Sequence, residues 1–231
     1  MTRGQNWRRI AVWTGLVVLV LALCAALAVR AIAQWRPAPE TYTFQGVDVS
    51  EAQGPIEWAD VRGAGAQFAY IRATGGTGHR DAAFAQNWDN AAAVGLRRGA
   101  MHLYSLCAPG ETQADLFNTI VPVSPDDLPA AVELADTTDC PTPPSHDAVI
   151  ADLAKFLARV EAHTGKPALV LVPKSIERRY GISAAIARPV WSASNFFKPD
   201  YAARPWRMWR ANDMRRVEGI EGPVNWDVVA P

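Results

Sequence analysis

Two hydrophobic patterns divide the chain. From Ile10 to Val29 (IAVWTGLVVLVLALCAALAV) twenty residues pass without a charge. As a helix rising 1.5 Å per residue, they match a bilayer hydrocarbon core of about 30 Å. From Phe44 onward the apolar runs are short and alternate with amphipathic stretches. QGVDVS precedes IEWADVRGAG, FAYIRAT precedes DAAFAQNWDNAAAVG, GAMHLYSL precedes ETQADLFNTIV, and PAAVELA precedes HDAVIADLAKFLARVEAHTG. ALVLVP then leads into a weaker helical pattern over Ser175 to Tyr180. The strand period is 2 and the helix period 3.6, so this alternation predicts five βα units on a parallel sheet. Three more strand-like runs follow without helices between them: PVWSAS, PWRMWRA and VNWDVV.

Eight strands on this plan fit an α/β barrel of TIM-like type with five βα units and three closing strands. An open doubly wound sheet is the competing plan. It is disfavoured because GVDVSEAQG carries an acid and polar groups where a phosphate-binding glycine loop would stand. The clearest helix covers His146 to His163, with Val149, Leu153, Phe156, Leu157 and Val160 on one face; Gly165 and Pro167 end it.

The resulting organisation is a basic tail (1–9), a transmembrane anchor or uncleaved signal (10–32), a linker (33–43) and a barrel domain (44–231). Arg3, Arg8 and Arg9 precede the apolar run. They favour a cytoplasmic N-terminus in a bacterial inner membrane, crossed once, with the barrel on the periplasmic or extracellular side. Ala31-Ile32-Ala33 also reads as a small-x-small cleavage site, so cleavage after Ala33 and secretion is the alternative. Both export the barrel.

Charge and cysteine content narrow the options. Twenty-three basic residues balance twenty-three acidic ones, leaving no net field to gather nucleic acid. Cys24 sits in the apolar run, so Cys107 and Cys140 are the only pair in the exported part. An oxidising compartment favours a disulfide between them, with two free thiols as the alternative. Neither has a second Cys or a His at ligand spacing, so no metal is expected, and no motif calls for a cofactor.

Active groups of a parallel barrel gather at the C-terminal ends of its strands. The first strand ends in Asp48, flanked by Val47 and Val49 on the opposite face. The fourth ends in Glu133, and position 135, two residues on, would share its face while Leu134 and Asp136 face away. Glycoside hydrolysis uses two acidic functions flanking the bond, and Asp48 with Glu133 could supply them. An ion pair between Glu133 and Arg72 or another barrel arginine is the competing reading.

The runs GVDVSEAQGPIEWADVRGAGAQFAYIRAT, DAAFAQNWDNAAAVGLRRGAMHLYSL and LPAAVEL resemble family 25 glycoside hydrolases, lysozymes that cut peptidoglycan between N-acetylmuramic acid and N-acetylglucosamine. The resemblance implies peptidoglycan glycan strands as partner and Asp48 in the sugar cleft. It also implies a fourth-strand Asp-x-Glu whose Glu is the general acid, and a His-x-Tyr-like strand at His102 and Tyr104. The departures are specific. Glu133 stands for the Asp and Ala135 for the Glu, so the proton donor is missing. Val224-Asn225-Trp226-Asp227 exchanges an acid and an amide, and Trp209-Arg210-Ala211 replaces tryptophan-glutamine-tyrosine.

A weakened muramidase and a non-hydrolytic glycan-binding or scaffold protein are therefore both expected readings. Asp136 and Asp227 are the substitute acids available. Arg72, His102, Tyr104, Trp191, Trp209 and Trp226 are candidate sugar contacts, since flat aromatic faces suit pyranose rings, and Arg72, Arg207 and Arg210 could meet muramyl carboxylates. Capture of Asp48 or Glu133 by an arginine would favour binding over turnover.

Overall fold

A computed structural model describes residues 3–135, 140 and 142–231 and divides the chain into two units, one ending at Trp35 and the other running from Arg36 to Pro231. The first is a single helix, α1 (Arg3–Gln34). Its most apolar 18-residue window, within Ala11–Gln34, has a mean hydropathy of 2.7, and none of that window is buried by protein. By length and composition alone it is a candidate membrane span.

The second unit is a closed barrel of eight strands wrapped by helices. In chain order these are β1 (Gln45–Val49), α2 (Trp58–Gly63), β2 (Phe68–Gly75), the two-residue β3 (His79–Arg80), α3 (Phe84–Ala93), β4 (Arg97–Tyr104) and α4 (Gly110–Ile120). They continue as β5 (Ala131–Leu134), α5 (His146–Thr164), β6 (Leu169–Pro173), α6 (Lys174–Tyr180), α7 (Ile182–Ala185), β7 (Val190–Ala193), β8 (Trp206–Arg215) and β9 (Val224–Val229). The sheet runs β1-β9-β8-β7-β6-β5-β4-β2, with β3 as an edge hairpin on β2, and pairing of β1 with β2 closes it. Five βα units precede three strands without intervening helices, as the periodicity predicted.

One strand departs from the parallel plan. β9 is antiparallel to both β8 and β1, so its N-terminal end, not its C-terminal end, lies beside the end of β1. Asn225 therefore pairs with Asp48 at the mouth, while Asp227 pairs with Gly46 one layer deeper.

Alternation along the strands sorts side chains into two cores. Phe68, Tyr70, Met101, Ala131, Leu169, Leu171, Trp191 and Met208 fill the barrel interior, at about 1.5 to 3 kcal/mol for each large apolar side chain. Gly46 faces this interior, where a Cβ would collide with the Phe68 backbone and ring, so a bare backbone is needed for β1 to approach β2. The outer core lies between strands and helices. α5 presents Val149, Leu153, Phe156, Leu157 and Val160 to it. The Ser145 hydroxyl caps the start of α5 by accepting from the Ala148 N–H, and Gly165 ends it in the left-handed conformation at φ 72°. The Cys107–Cys140 disulfide is formed. Closing a loop of 33 residues restricts the unfolded chain by about 3 to 4 kcal/mol.

Arg36 to Thr43 open the second unit and are hydrogen-bonded to the barrel. Arg36 donates to the Ala64 carbonyl, and Gln45 Nε2 donates to the carbonyls of Pro37 and Tyr42.

Candidate active site

Asp48, Arg72, Glu133, Arg210 and Asn225 converge inside the barrel at the C-terminal end of its parallel strands. Each is reached by inward alternation: Gly46 then Asp48 on β1, Tyr70 then Arg72 on β2, Ala131 then Glu133 on β5, and Met208 then Arg210 on β8. Asp48 is 3% exposed and Glu133 8%.

Arg210 joins the two carboxylates. Its Nε donates to Asp48 Oδ2 at 2.8 Å and its Nη1 to Glu133 Oε1 at 2.7 Å. Arg72 Nη2 holds the other oxygen of Glu133 at 3.0 Å. Asn225 Nδ2 donates to Asp48 Oδ1 at 2.7 Å. Burial works against the charge of Glu133, but Arg210 and then Arg72 outweigh it and hold its carboxyl below the usual range. Glu133 is therefore an anion at neutral pH and has no proton to give.

Asp227 is shifted in the opposite direction. It is fully buried, and Trp191 Nε1 donates to its Oδ1 at 3.1 Å. Burial first, then the neighbouring Asp48 carboxylate, push its pKa well above the ordinary value. Oδ2 of Asp227 has no hydrogen-bond partner, so nothing there offsets the burial of a charge. Two arginines, Arg72 and Arg210, thus face the carboxyl groups of Asp48 and Glu133, and the shift of Asp227 toward its neutral form lowers the negative charge that this buried cluster has to balance.

Several expected contacts lie elsewhere. His102 and Tyr104 face the helices, because Met101 occupies the inward position between them and Gly99. His102 is completely buried, with Nδ1 2.7 Å from Thr74 Oγ1, Nε2 3.1 Å from Gln113 Oε1 and its ring on Phe156. A register shift in β2 between Arg72 and Thr74 turns Thr74 outward to meet it. Burial lowers the His102 pKa to about 4, so the ring is neutral. Tyr104 donates to Asp152 of α5 at 2.7 Å.

The three tryptophans are also packed rather than presented to a ligand. Trp191 lies in the interior core beneath the carboxylates, while Trp209 and Trp226 point outward and donate to the Ser194 carbonyl and to Gln45 Oε1. Their rings are at most 3% exposed. Strand parity decided this, and local sequence does not say which parity is inside. Arg207 stands at the start of β8, at the opposite end of the barrel from Arg210. Of the candidate ligand contacts, Arg72 and Arg210 reach the mouth, with 26% and 11% of their side chains exposed.

Ala135 is half-buried just past the end of β5, and Asp136 lies outside the described residues. A second polar cluster, missed in the sequence, joins Glu51, His79 and Asp81. His79 Nε2 is 3.2 Å from Glu51, while backbone N–H groups of Glu51, Ala82 and Ala83 donate to the two carboxylates. The cluster fastens the β3 hairpin to the turn after β1.

Residues 47–220 match the family model of glycosyl hydrolases family 25. A 30% identical protein of Escherichia coli K12, uncharacterized protein YegX, aligns over 197 residues, 82% of this chain and 71% of that protein. Lysozyme M1 of Streptomyces globisporus is 47% identical over 79 residues, covering 34% of this chain and 27% of its own. Among solved structures, a family 25 glycosyl hydrolase from Bacillus anthracis superposes with a TM-score of 0.79 at 28% identity, covering 86% of this chain and 93% of that one. A bacterial lysozyme from Streptomyces coelicolor gives 0.72 at 28% identity, over 81% and 92%.

Proposed function

The chain belongs to glycosyl hydrolase family 25, and on that premise we propose that it engages peptidoglycan glycan strands at the barrel mouth as a binding protein whose hydrolytic step is suppressed. The observation that carries this reading is Arg210, whose one guanidinium occupies both Asp48 and Glu133. The barrel is read as TIM-like, with Asp48 and Glu133 as its two cleft carboxylates and Ala135 at the position of the proton donor.

Hydrolysis of a glycosidic bond needs a protonated group beside the leaving oxygen and an anion on the other side of the sugar. Glu133 is held ionised, Ala135 has no acidic group, and Asp227, whose pKa is raised, is sealed one layer beneath Asp48. General acid catalysis contributes about 10² to 10⁴ in rate, so its loss leaves little turnover. Arg72 remains partly exposed at the mouth as a donor for substrate carboxylates.

The apolar helix α1 acts in this reading as a single-pass anchor with its N-terminus inside, which holds the barrel next to the wall. Its length and hydropathy support a span, and retention of residues 3–33 in the mature chain, read by intact mass, tests it against cleavage after Ala33. For the main claim, the full chain in detergent micelles is mixed with purified sacculi. Co-sedimentation without muropeptide release is expected. Release of muropeptides that disappears in Asp48→Asn would overturn the proposal in favour of a working muramidase.

A further inference from the structure

The barrel has a second opening, at the end opposite Asp48. A cavity of about 320 Å³ lies there, walled by Phe68, Leu169, Met208 and Val229, with Phe44 at its edge. Phe44 precedes β1, Phe68 and Leu169 begin β2 and β6, Met208 lies in the first three residues of β8, and Val229 ends the antiparallel β9. The volume lies at the lower end of the range for small-molecule pockets. Its charged lining consists of Arg97 and Arg207, both exposed, and no acidic residue lines it. Neither arginine forms an ion pair among the described residues; the Arg97 guanidinium sits 5.9 Å from the Phe44 ring centroid. An apolar hole under two uncompensated cations is complementary to a hydrocarbon tail carrying an anionic head.

We propose that this N-terminal mouth holds one acyl chain of an anionic membrane lipid, with the headgroup phosphate between Arg97 and Arg207. The source is argued from the chain itself. Phe44, at the edge of the cavity, follows Gln34, the last residue of the apolar helix, by ten residues, which span at most about 36 Å when fully extended. A helix inserted in a bilayer therefore keeps the cavity within a short lead of lipid at very high local concentration. Burying an acyl segment removes apolar surface from water, and each arginine near an anionic surface adds electrostatic attraction. The proposal rests on the reading of α1 as a membrane span and is independent of whether the opposite mouth hydrolyses or binds glycan.

The test is photocrosslinking of the full chain in phosphatidylcholine nanodiscs, using trace probes that carry the same diazirine acyl chain on phosphatidylglycerol, on phosphatidylcholine or as a free fatty acid, followed by peptide mapping. The phosphatidylglycerol probe is expected to label the helix and also the peptides holding Phe44 and Met208. Barrel labelling should fall at least fivefold in Arg97→Glu/Arg207→Glu and, more mildly, in Arg97→Gln/Arg207→Gln, with helix labelling and sedimentation with sacculi unchanged. Equal barrel labelling by phosphatidylcholine, barrel labelling by the free fatty acid alone, or a labelled helix with an unlabelled barrel each overturns the proposal. An unlabelled helix defeats the membrane reading first, and the proposal with it.

Discussion

Replacing Arg210 by glutamine keeps a polar side chain but removes the charge between Asp48 and Glu133. Asp48 retains Asn225 at 2.7 Å, and Glu133 retains Arg72 at 3.0 Å. Both carboxylates nevertheless stay below 9% exposure without their shared counter-ion. Removing one partner of a buried ion pair costs about 3 to 5 kcal/mol. For a domain of this size that corresponds to a fall in Tm of about 6 to 20 °C, which near-UV circular dichroism of the packed tryptophans would follow.

The pH dependence supplies a second readout. In the native chain the Glu133 pKa is lowered, so its contribution is present above the ordinary carboxylate range and is lost as pH falls through the folded value. In Arg210→Gln burial dominates, the pKa rises, and the contribution is lost as pH increases instead. The damage should therefore be smaller at pH 4.5 than at pH 7.5. Adding Glu133→Gln should recover part of the loss, because the uncompensated charge goes with it. A loss below about 1 kcal/mol, or a double variant whose loss is the full sum of the two single ones, would refute the ion-pair account.

Three further predictions concern other parts of the molecule. Glu133→Asp with Ala135→Glu should leave muropeptide release low, and adding Arg210→Gln should raise it by about 10²-fold or more, the weight of a general acid; equal release from both would mean Arg210 does not restrain the site. His102, held near pKa 4 against 6.5 in the unfolded chain, should withdraw about 3 kcal/mol of stability as pH falls from 6.5 toward 4, seen as a falling urea midpoint that flattens in His102→Gln. Cys107→Ser with Cys140→Ser should cost about 3 to 4 kcal/mol, and dithiothreitol should produce the same shift in the unmodified chain but none in the double variant.

Much of the architecture was legible in local pattern. The apolar run of α1, the buried face of α5, the count of five βα units and three further strands, and the Cys107–Cys140 pair all follow from periodicity, capping residues and composition. These properties depend on neighbours within a turn or a strand. Inward placement of Asp48 and Glu133 was legible for the same reason, since each alternates with apolar residues that must face the helices.

The rest depended on contacts between residues far apart in sequence. Arg210 lies 162 residues from Asp48 and 77 from Glu133, and no local pattern announces that its charge will neutralise theirs. The antiparallel course of β9 exchanged the depths of Asn225 and Asp227, and burial next to Asp48 then pushed the Asp227 pKa up. Strand parity turned His102, Tyr104, Trp209 and Trp226 toward the helices and sealed Trp191 inside. The sequence by itself determined which strands and helices form and which faces are apolar. Only closure of the barrel decided which charges meet, because electrostatic neutrality in a buried site is a condition on the assembled structure and not on any one segment.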